Sequence, residues 1–139
     1  MEVDTKKYRR GILILLAIFM GAGIWWNLPT SIIDIEPSDV SKITVFSGNT
    51  GDSITITDSD DINHIIHNLN GISLKKYKVS VGYAGYSFRT TIYDGEDDIH
   101  EEFYINSDEI IRRDPFFYRD RQGRIDYNYI QDLFDQEKE

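Results

Sequence analysis

The chain of 139 residues contains no cysteine and has only three histidines and three prolines. Without cysteine it can form neither a disulfide nor a lipid-modified cysteine, and it has no thiol nucleophile. It also lacks a Gly-x-Ser-x-Gly elbow, a His-Glu-x-x-His helix and a phosphate-binding glycine loop. We therefore expect no enzymatic activity and no cofactor, and a fold that depends on its hydrophobic core alone.

Charged residues are absent from one long stretch, residues 11–28, which reads GILILLAIFMGAGIWWNL. A helix of this length spans about 27 Å, close to the hydrocarbon thickness of a bilayer. Four cations lie in residues 1–10 and acidic residues follow the stretch, so the positive-inside rule places the N-terminus in the cytoplasm. Trp25 and Trp26 suit the outer interface, and Pro29 ends the helix. We predict a single-pass signal-anchor in the plasma membrane, with the C-terminal domain outside.

Two other interpretations of this stretch stay open. A cleaved signal peptide has a similar pattern, but the small residues 21–23 are followed by Ile24, Trp25 and Trp26 rather than by a polar mature start. A buried helix of a soluble protein normally shows a polar stripe, and none interrupts this run. The mass of the mature chain distinguishes the anchor from the cleaved peptide.

Charge divides the chain into two unlike parts. Residues 11–139 hold 22 of the 24 acidic residues but only 11 of the 15 lysines and arginines. Such an acidic domain repels phosphates, so we expect no nucleic-acid partner and no attraction to anionic headgroups. A cationic protein or a metal ion is compatible with this charge.

The length and patterning of the remainder predict one small α+β domain at residues 40–139, joined to the membrane by a stalk at residues 29–39. The predicted order is a β-hairpin, a helix, an antiparallel three- to four-stranded meander and a C-terminal helix. Asp58 and Asp126 are predicted N-caps, and Gly71 is predicted to end the first helix in the left-handed conformation. The predicted strands cover residues 40–46, 53–57, 74–81, 86–93, 99–105 and 116–118.

Asp60, His64 and His67 share one face of the first predicted helix, because they are four and three residues apart. Two imidazoles and a carboxylate are ligands that suit zinc, so these three residues form a candidate metal site. The alternative is an ordinary solvated helix face. The acidic run 94–98 lacks the spacing of a calcium-binding EF-hand loop and indicates a hairpin turn.

Aromatic residues are numerous, with nine tyrosines and seven phenylalanines. Several lie beside a glycine-rich turn or among arginines, where exposed rings are able to stack on sugars of the cell wall or anchor a protein partner. The alternative is that they form cross-strand pairs within the core. The candidate partner-binding residues are Tyr83, Tyr86, Arg112, Arg113, Phe117 and Arg119.

The layout resembles that of small membrane-anchored proteins of unknown function in low-GC Gram-positive bacteria. The resemblance is carried by the basic-flanked anchor, the strand at 40–45, the segment 54–71 and the aromatic strands after Gly82. It implies a location and a fold, but no activity and no functional residues. The element order also resembles the topology of TATA-binding-protein-like domains, which implies fold alone, since the acidity gives no reason to expect DNA binding.

These observations favour a non-enzymatic module that binds a protein or a cell-envelope component outside the membrane. A second hypothesis is an immunity-type protein that neutralises a cationic toxin or bacteriocin, whose capture would weaken as salt rises. A third hypothesis is extracellular metal binding or sensing.

Overall fold

A computed structural model describes residues 5–137 of the chain, and within that range the fold is α+β, as predicted. An N-terminal helix is followed by a seven-stranded antiparallel sheet with two further helices. A short 3-10 helix at Pro37–Asp39 precedes the first strand. The other elements are α1 (Thr5–Asn27), β1 (Val40–Ser47), β2 (Ser53–Ile56), α2 (Ser59–Asn70), β3 (Lys75–Val79), β4 (Phe88–Asp94), β5 (Ile99–Ile105), β6 (Ile110–Arg113), β7 (Phe116–Arg119) and α3 (Tyr127–Gln136).

The strands are ordered β2-β1-β4-β5-β6-β7-β3 across the sheet. The hairpin of β1 and β2 therefore pairs with β4, and β4 to β7 form a four-stranded meander. The predicted meander began with the strand at 74–81, which is wrong, because β3 crosses to the far edge and pairs with β7. Sequence patterning also missed β6, since four residues ending in two arginines show no clear alternation.

Both helices of the domain pack on the same face of the sheet, and their ends are only partly as predicted. The Asp58 side chain accepts hydrogen bonds from the backbone N–H groups of Asp60 and Asp61, which confirms it as the N-cap of α2. Gly71 has a φ of −78°, so the predicted left-handed conformation is wrong. Asp126 precedes α3 but makes no side-chain cap, because its carboxylate pairs with a residue of α2 instead.

The core lies between this sheet face and the two helices. Phe88 of β4 contacts two rings of α3, with centroid distances of 5.4 Å to Phe134 and 5.0 Å to Tyr127. Because the core side chains are large, branched and tightly enclosed, they supply the hydrophobic stabilisation expected of a cysteine-free domain. The most deeply buried side chains are Ile32, Ile43, Val45, Ile66, Leu74, Phe88, Thr90, Ile92, Phe103, Ile105 and Ile111.

Residues 29–39 are part of the domain and not a free stalk. Ile32 and Ile33 are 1% and 3% exposed and belong to the core. The backbone of Thr30 exchanges two hydrogen bonds with Leu74, at N···O distances of 2.8 and 3.0 Å. The turn-forming residues of this segment suggested a stalk, but its apolar pair packs against the sheet.

Within the described residues, α1 is the one helix long and apolar enough to cross a membrane, and none of its side chains is buried. Its C-terminal end contacts the domain directly. Trp25 and Trp26 meet the ring of Phe116 edge-on at centroid distances of 5.8 and 5.7 Å. The ammonium of Lys76 lies 4.3 Å from the centre of the Trp25 ring. The β3–β7 end of the sheet is therefore fixed beside the end of the apolar helix.

Candidate binding surface

The outer face of the sheet, opposite α2 and α3, carries a row of aromatic and cationic side chains. Strand register places Phe46 beside Arg89, Arg89 beside Tyr104, Tyr104 beside Arg112 and Arg112 beside Phe117. The guanidinium carbon of Arg89 lies 5.2 Å from the centre of the Phe46 ring, and that of Arg112 lies 4.0 Å from the Tyr104 ring. Cation–π attraction therefore helps to hold this row in place.

The loop at residues 80–87 lies over this row. Tyr83 meets Phe117 edge-on at 5.3 Å, and Tyr86 lies 4.9 Å from Tyr104, centroid to centroid. Gly48 permits the close approach of the loop, because a Cβ at this position would lie 2.4 Å from the carbonyl oxygen of Tyr86. The structure thus brings Tyr83, Tyr86 and Phe117 to one surface.

Arg112 holds this loop in place. The side chain is buried, and its Nη1 donates to the carbonyl oxygens of Tyr83 and Gly85, at 2.9 and 3.4 Å. Its Nε lies 3.5 Å from a carboxylate oxygen of Asp114. Arg112 is therefore buried beneath the aromatic loop, with Nη1 bound to the loop backbone.

Arg113 and Arg119 are also engaged within the molecule. Arg113 lies on the helix-covered side, where Nη1 donates to the carbonyl oxygen of Ile32 at 2.9 Å and to Glu101 at 3.4 Å. Arg119 donates two hydrogen bonds to Glu109, at 2.9 and 2.6 Å, and this carboxylate raises the pKa of Arg119. The arginines that the sequence placed in one site therefore have separate structural partners.

The exposed part of the surface is centred on Lys78, which the sequence analysis did not single out. Its ammonium lies 4.2 Å from the centre of the Tyr83 ring, 4.9 Å from Phe117 and 5.8 Å from Tyr77. Tyr77 is 48% exposed and Tyr83 is 54% exposed. No carboxylate of residues 5–137 lies within ion-pair distance of Lys78. We call Tyr77, Lys78, Tyr83 and Phe117 the Lys78 cluster.

The strand that carries Lys78 is exposed as expected for an edge strand. Lys75–Val79 reads KKYKV, and in the structure exposed and half-buried residues alternate along it. Val79 and Val81, which flank the cluster along the chain, are 47% and 76% exposed. These two valines extend the exposed apolar surface beside Tyr77 and Tyr83.

Asp60, His64 and His67, the predicted metal ligands, do not converge on one point in the structure. His64 pairs through Nε2 with Asp126, and its ring stacks on Tyr129 at 3.7 Å. Asp60 and His67 are exposed on α2. In the part of the chain that the structure describes, no three histidine, cysteine, aspartate or glutamate side chains are placed to hold a metal ion. The metal hypothesis therefore finds no geometric support.

The acidic run at 94–98 forms the turn between β4 and β5, as the sequence indicated. A carboxylate oxygen of Asp94 accepts hydrogen bonds from the backbone N–H groups of Glu96 and Asp98, at 2.9 and 3.2 Å. Asp97 accepts a hydrogen bond from Ser41 and pairs with Lys42, and these two partners lower the pKa of Asp97.

Comparison of the chain with family models, with curated proteins and with solved structures finds no match in any of the three. The family and fold resemblances drawn from the sequence therefore stay predictions. What the protein binds has to follow from the chemistry of its own surface.

Proposed function

We propose that this chain is a non-enzymatic, single-pass membrane protein whose domain stands outside the plasma membrane and binds a protein or cell-envelope component through the Lys78 cluster. The anchor is supported by the length and apolar composition of α1. Its orientation is supported by the four cations that precede the apolar stretch.

The observation that carries the binding proposal is a lysine that has no carboxylate partner within residues 5–137 and lies among three aromatic rings, two of them half exposed. Exposed tyrosines supply large contact areas at little cost in conformational entropy, and they are frequent in binding hot spots. Arg112 holds the backbone of the Tyr83 loop by two hydrogen bonds, so this tyrosine is positioned before a partner arrives.

A protein partner is favoured by the position of the cluster at the sheet edge. Beyond Leu74, which is bridged by Thr30, β3 pairs with β7 alone, so the end of β3 away from α1 offers backbone N–H and C=O groups. An extended segment of a partner can add to such an edge while its side chains contact Tyr77 and Val79.

Site-specific photocrosslinking tests the proposal. A photoreactive phenylalanine analogue is placed at Tyr83 in one chain and at Ile99 in a control chain; both native residues are exposed, by 54% and 61%. We expect a covalent adduct in native membranes from position 83 and none from position 99. Adding Lys78→Ala to the first chain should reduce the adduct, because cation–π and apolar contacts are both lost.

Equal crosslinking from both positions, or none from either, would refute the Lys78 cluster as the binding surface. The adduct itself identifies the class of ligand. Peptides of a second protein in the mass spectrum of the purified adduct indicate a protein ligand, whereas an adduct mass that falls after treatment with a glycan hydrolase indicates cell-wall material.

A second candidate function, capture of a cationic toxin, is favoured by the acidic surface of α2 and α3. Asp132 and Asp135 are exposed on α3, and the adjacent residues Leu133 and Gln136 line one shallow pocket with Asp58 and Asp61. The hydrogen bond to Asp61 and burial are the main causes that raise the pKa of Tyr129, and the negative charges of Asp61, Asp126 and Asp58 add to them. Binding of a cationic peptide that does not weaken as salt is added would argue against this function.

A further inference from the structure

A separate cleft lies where α1 meets the domain. It encloses about 600 Å³ between the last residues of α1, the start of β3 and the loop that follows β7. The cleft residues include one carboxylate, Asp120, and five cations, so its charge is opposite to that of the whole domain. The five cations are Lys75, Lys76, Arg119, Arg121 and Arg124.

Three of these cations have no carboxylate partner within the described residues. Arg119 and Arg124 are neutralised by Glu109 and Asp120. Lys75 and Arg121 are exposed and have no carboxylate at ion-pair distance. The ammonium of Lys76 instead lies 3.4 Å from the carbonyl oxygen of Trp25, at the negative end of the α1 dipole. The cleft therefore keeps an excess of positive charge.

The position of the cleft along α1 defines what reaches it. Trp26 and Asn27 form one of its walls, and Trp25 contacts Lys76. Tryptophans at the end of an apolar helix lie at the level of the lipid headgroups. Since the domain is fixed to this end of α1 by the contacts of Phe116, the cleft faces the headgroup layer.

We propose that this cleft binds the phosphate headgroup of an anionic phospholipid in the leaflet beside the domain. Arginine presents paired donors that match phosphate oxygens, and lysine adds point charge. The proposal revises the expectation that the acidic domain avoids anionic headgroups, because the basic residues are collected at the membrane end. It rests on α1 spanning a membrane, as proposed above, but not on what the Lys78 cluster binds.

The two tryptophans of the chain both lie at this site, so their fluorescence reports on it. The full chain is placed in phosphatidylcholine bilayers that contain a small fraction of acyl-brominated phosphatidylglycerol or, for comparison, acyl-brominated phosphatidylcholine. Bromine quenches nearby tryptophan. We expect a preference of at least about fivefold for the anionic lipid, the effect usual for one cation at an anionic leaflet.

The double variant Lys75→Gln/Arg121→Gln should reduce this preference toward one. Two controls test the cause: Lys75→Arg/Arg121→Lys keeps the charge and should keep the preference. Lys42→Gln removes a positive charge away from the cleft and should leave the preference unchanged.

Equal quenching by the two lipids in the unmodified chain would overturn the proposal, as would an equal loss in both glutamine variants. Displacement of the anionic lipid by soluble glycerol phosphate would also overturn it, by assigning the cleft to a phosphate from solution. The crosslink from position 83 should persist in Lys75→Gln/Arg121→Gln, so a failure of lipid binding is distinguishable from a failure of the Lys78 cluster.

Discussion

Tyr129 joins the two helices of the domain through a single side chain. Its hydroxyl donates a hydrogen bond to Asp61 of α2, while its ring stacks on His64. This hydrogen bond, followed by burial and by the negative charges nearby, raises the pKa of Tyr129 from 10.0 to about 12. Because the neutral hydroxyl is favoured in the folded state, Tyr129 should stabilise the domain in a pH-dependent way.

We expect Tyr129→Phe to lower the free energy of unfolding by about 1–2 kcal/mol near neutral pH, the usual worth of a partly exposed hydrogen bond to a charged group. The folded-state pKa lies above the unfolded value, so this contribution is fully present below pH 10.0 and is lost as pH rises through about 12. Chemical denaturation of both chains in detergent micelles across this range measures the difference. A difference that stays constant between pH 10.0 and about 12 would contradict the assignment.

Single residues were predictable from the sequence where their partners are local. Asp58 caps α2 through N–H groups two and three residues away, so the pattern of residues 58–61 was sufficient to predict it. Asp126 occupies the equivalent position before α3, but its partner His64 is 62 residues away in sequence. The pattern of residues around Asp126 does not indicate a partner this far away in sequence.

At the scale of elements, the segment between α1 and β1 decides how closely the domain is held to the apolar helix. Ile32 is 1% exposed, and its carbonyl oxygen accepts a hydrogen bond from Arg113. A free stalk would allow the domain to move independently of α1. Because the segment is packed into the domain, few residues between Asn27 and the sheet are free to let the domain move relative to α1.

We expect Ile32→Ala to destabilise the domain by about 2–4 kcal/mol, because it leaves a cavity in a closely packed core. Asp34→Ala, at an exposed position of the same segment, is the matched control and should change the free energy of unfolding by less than about 0.5 kcal/mol. Denaturant unfolding of the full chain compares the two. Similar values for both substitutions would restore the stalk interpretation.

The same holds for the strands: pairing between neighbours in sequence was predictable, and pairing between distant strands was not. The β1–β2 hairpin was predicted because two alternating runs flank a turn, and its strands pair directly. The place of β3 depends on pairing with β7, about 40 residues later, and no local pattern encodes that choice. The Lys78 cluster was missed for this reason, since Lys78 meets Phe117 only when β3 reaches the far edge.

At the scale of the whole molecule, the positions of the charged residues say more about what the surface can bind than the net charge does. Eight of the 11 lysines and arginines in residues 11–139 lie on β3, β6, β7 or the loop after β7. This end of the sheet is the one that contacts α1. An overall negative domain therefore presents a positive region beside the apolar helix, which its net charge alone did not indicate.

Labelling of single introduced cysteines can test the orientation of the chain, because the protein contains no cysteine of its own. Glu96→Cys, in the exposed turn between β4 and β5, should react with a membrane-impermeant maleimide in intact cells. Thr5→Cys, at the exposed start of α1, should react only after permeabilisation, because the four cations between it and the apolar stretch keep that end inside. The reverse pattern would place the domain in the cytoplasm. A mature chain that begins after residue 23 would replace the anchor with a cleaved signal peptide, and the lipid-binding cleft would then lose its place at the bilayer.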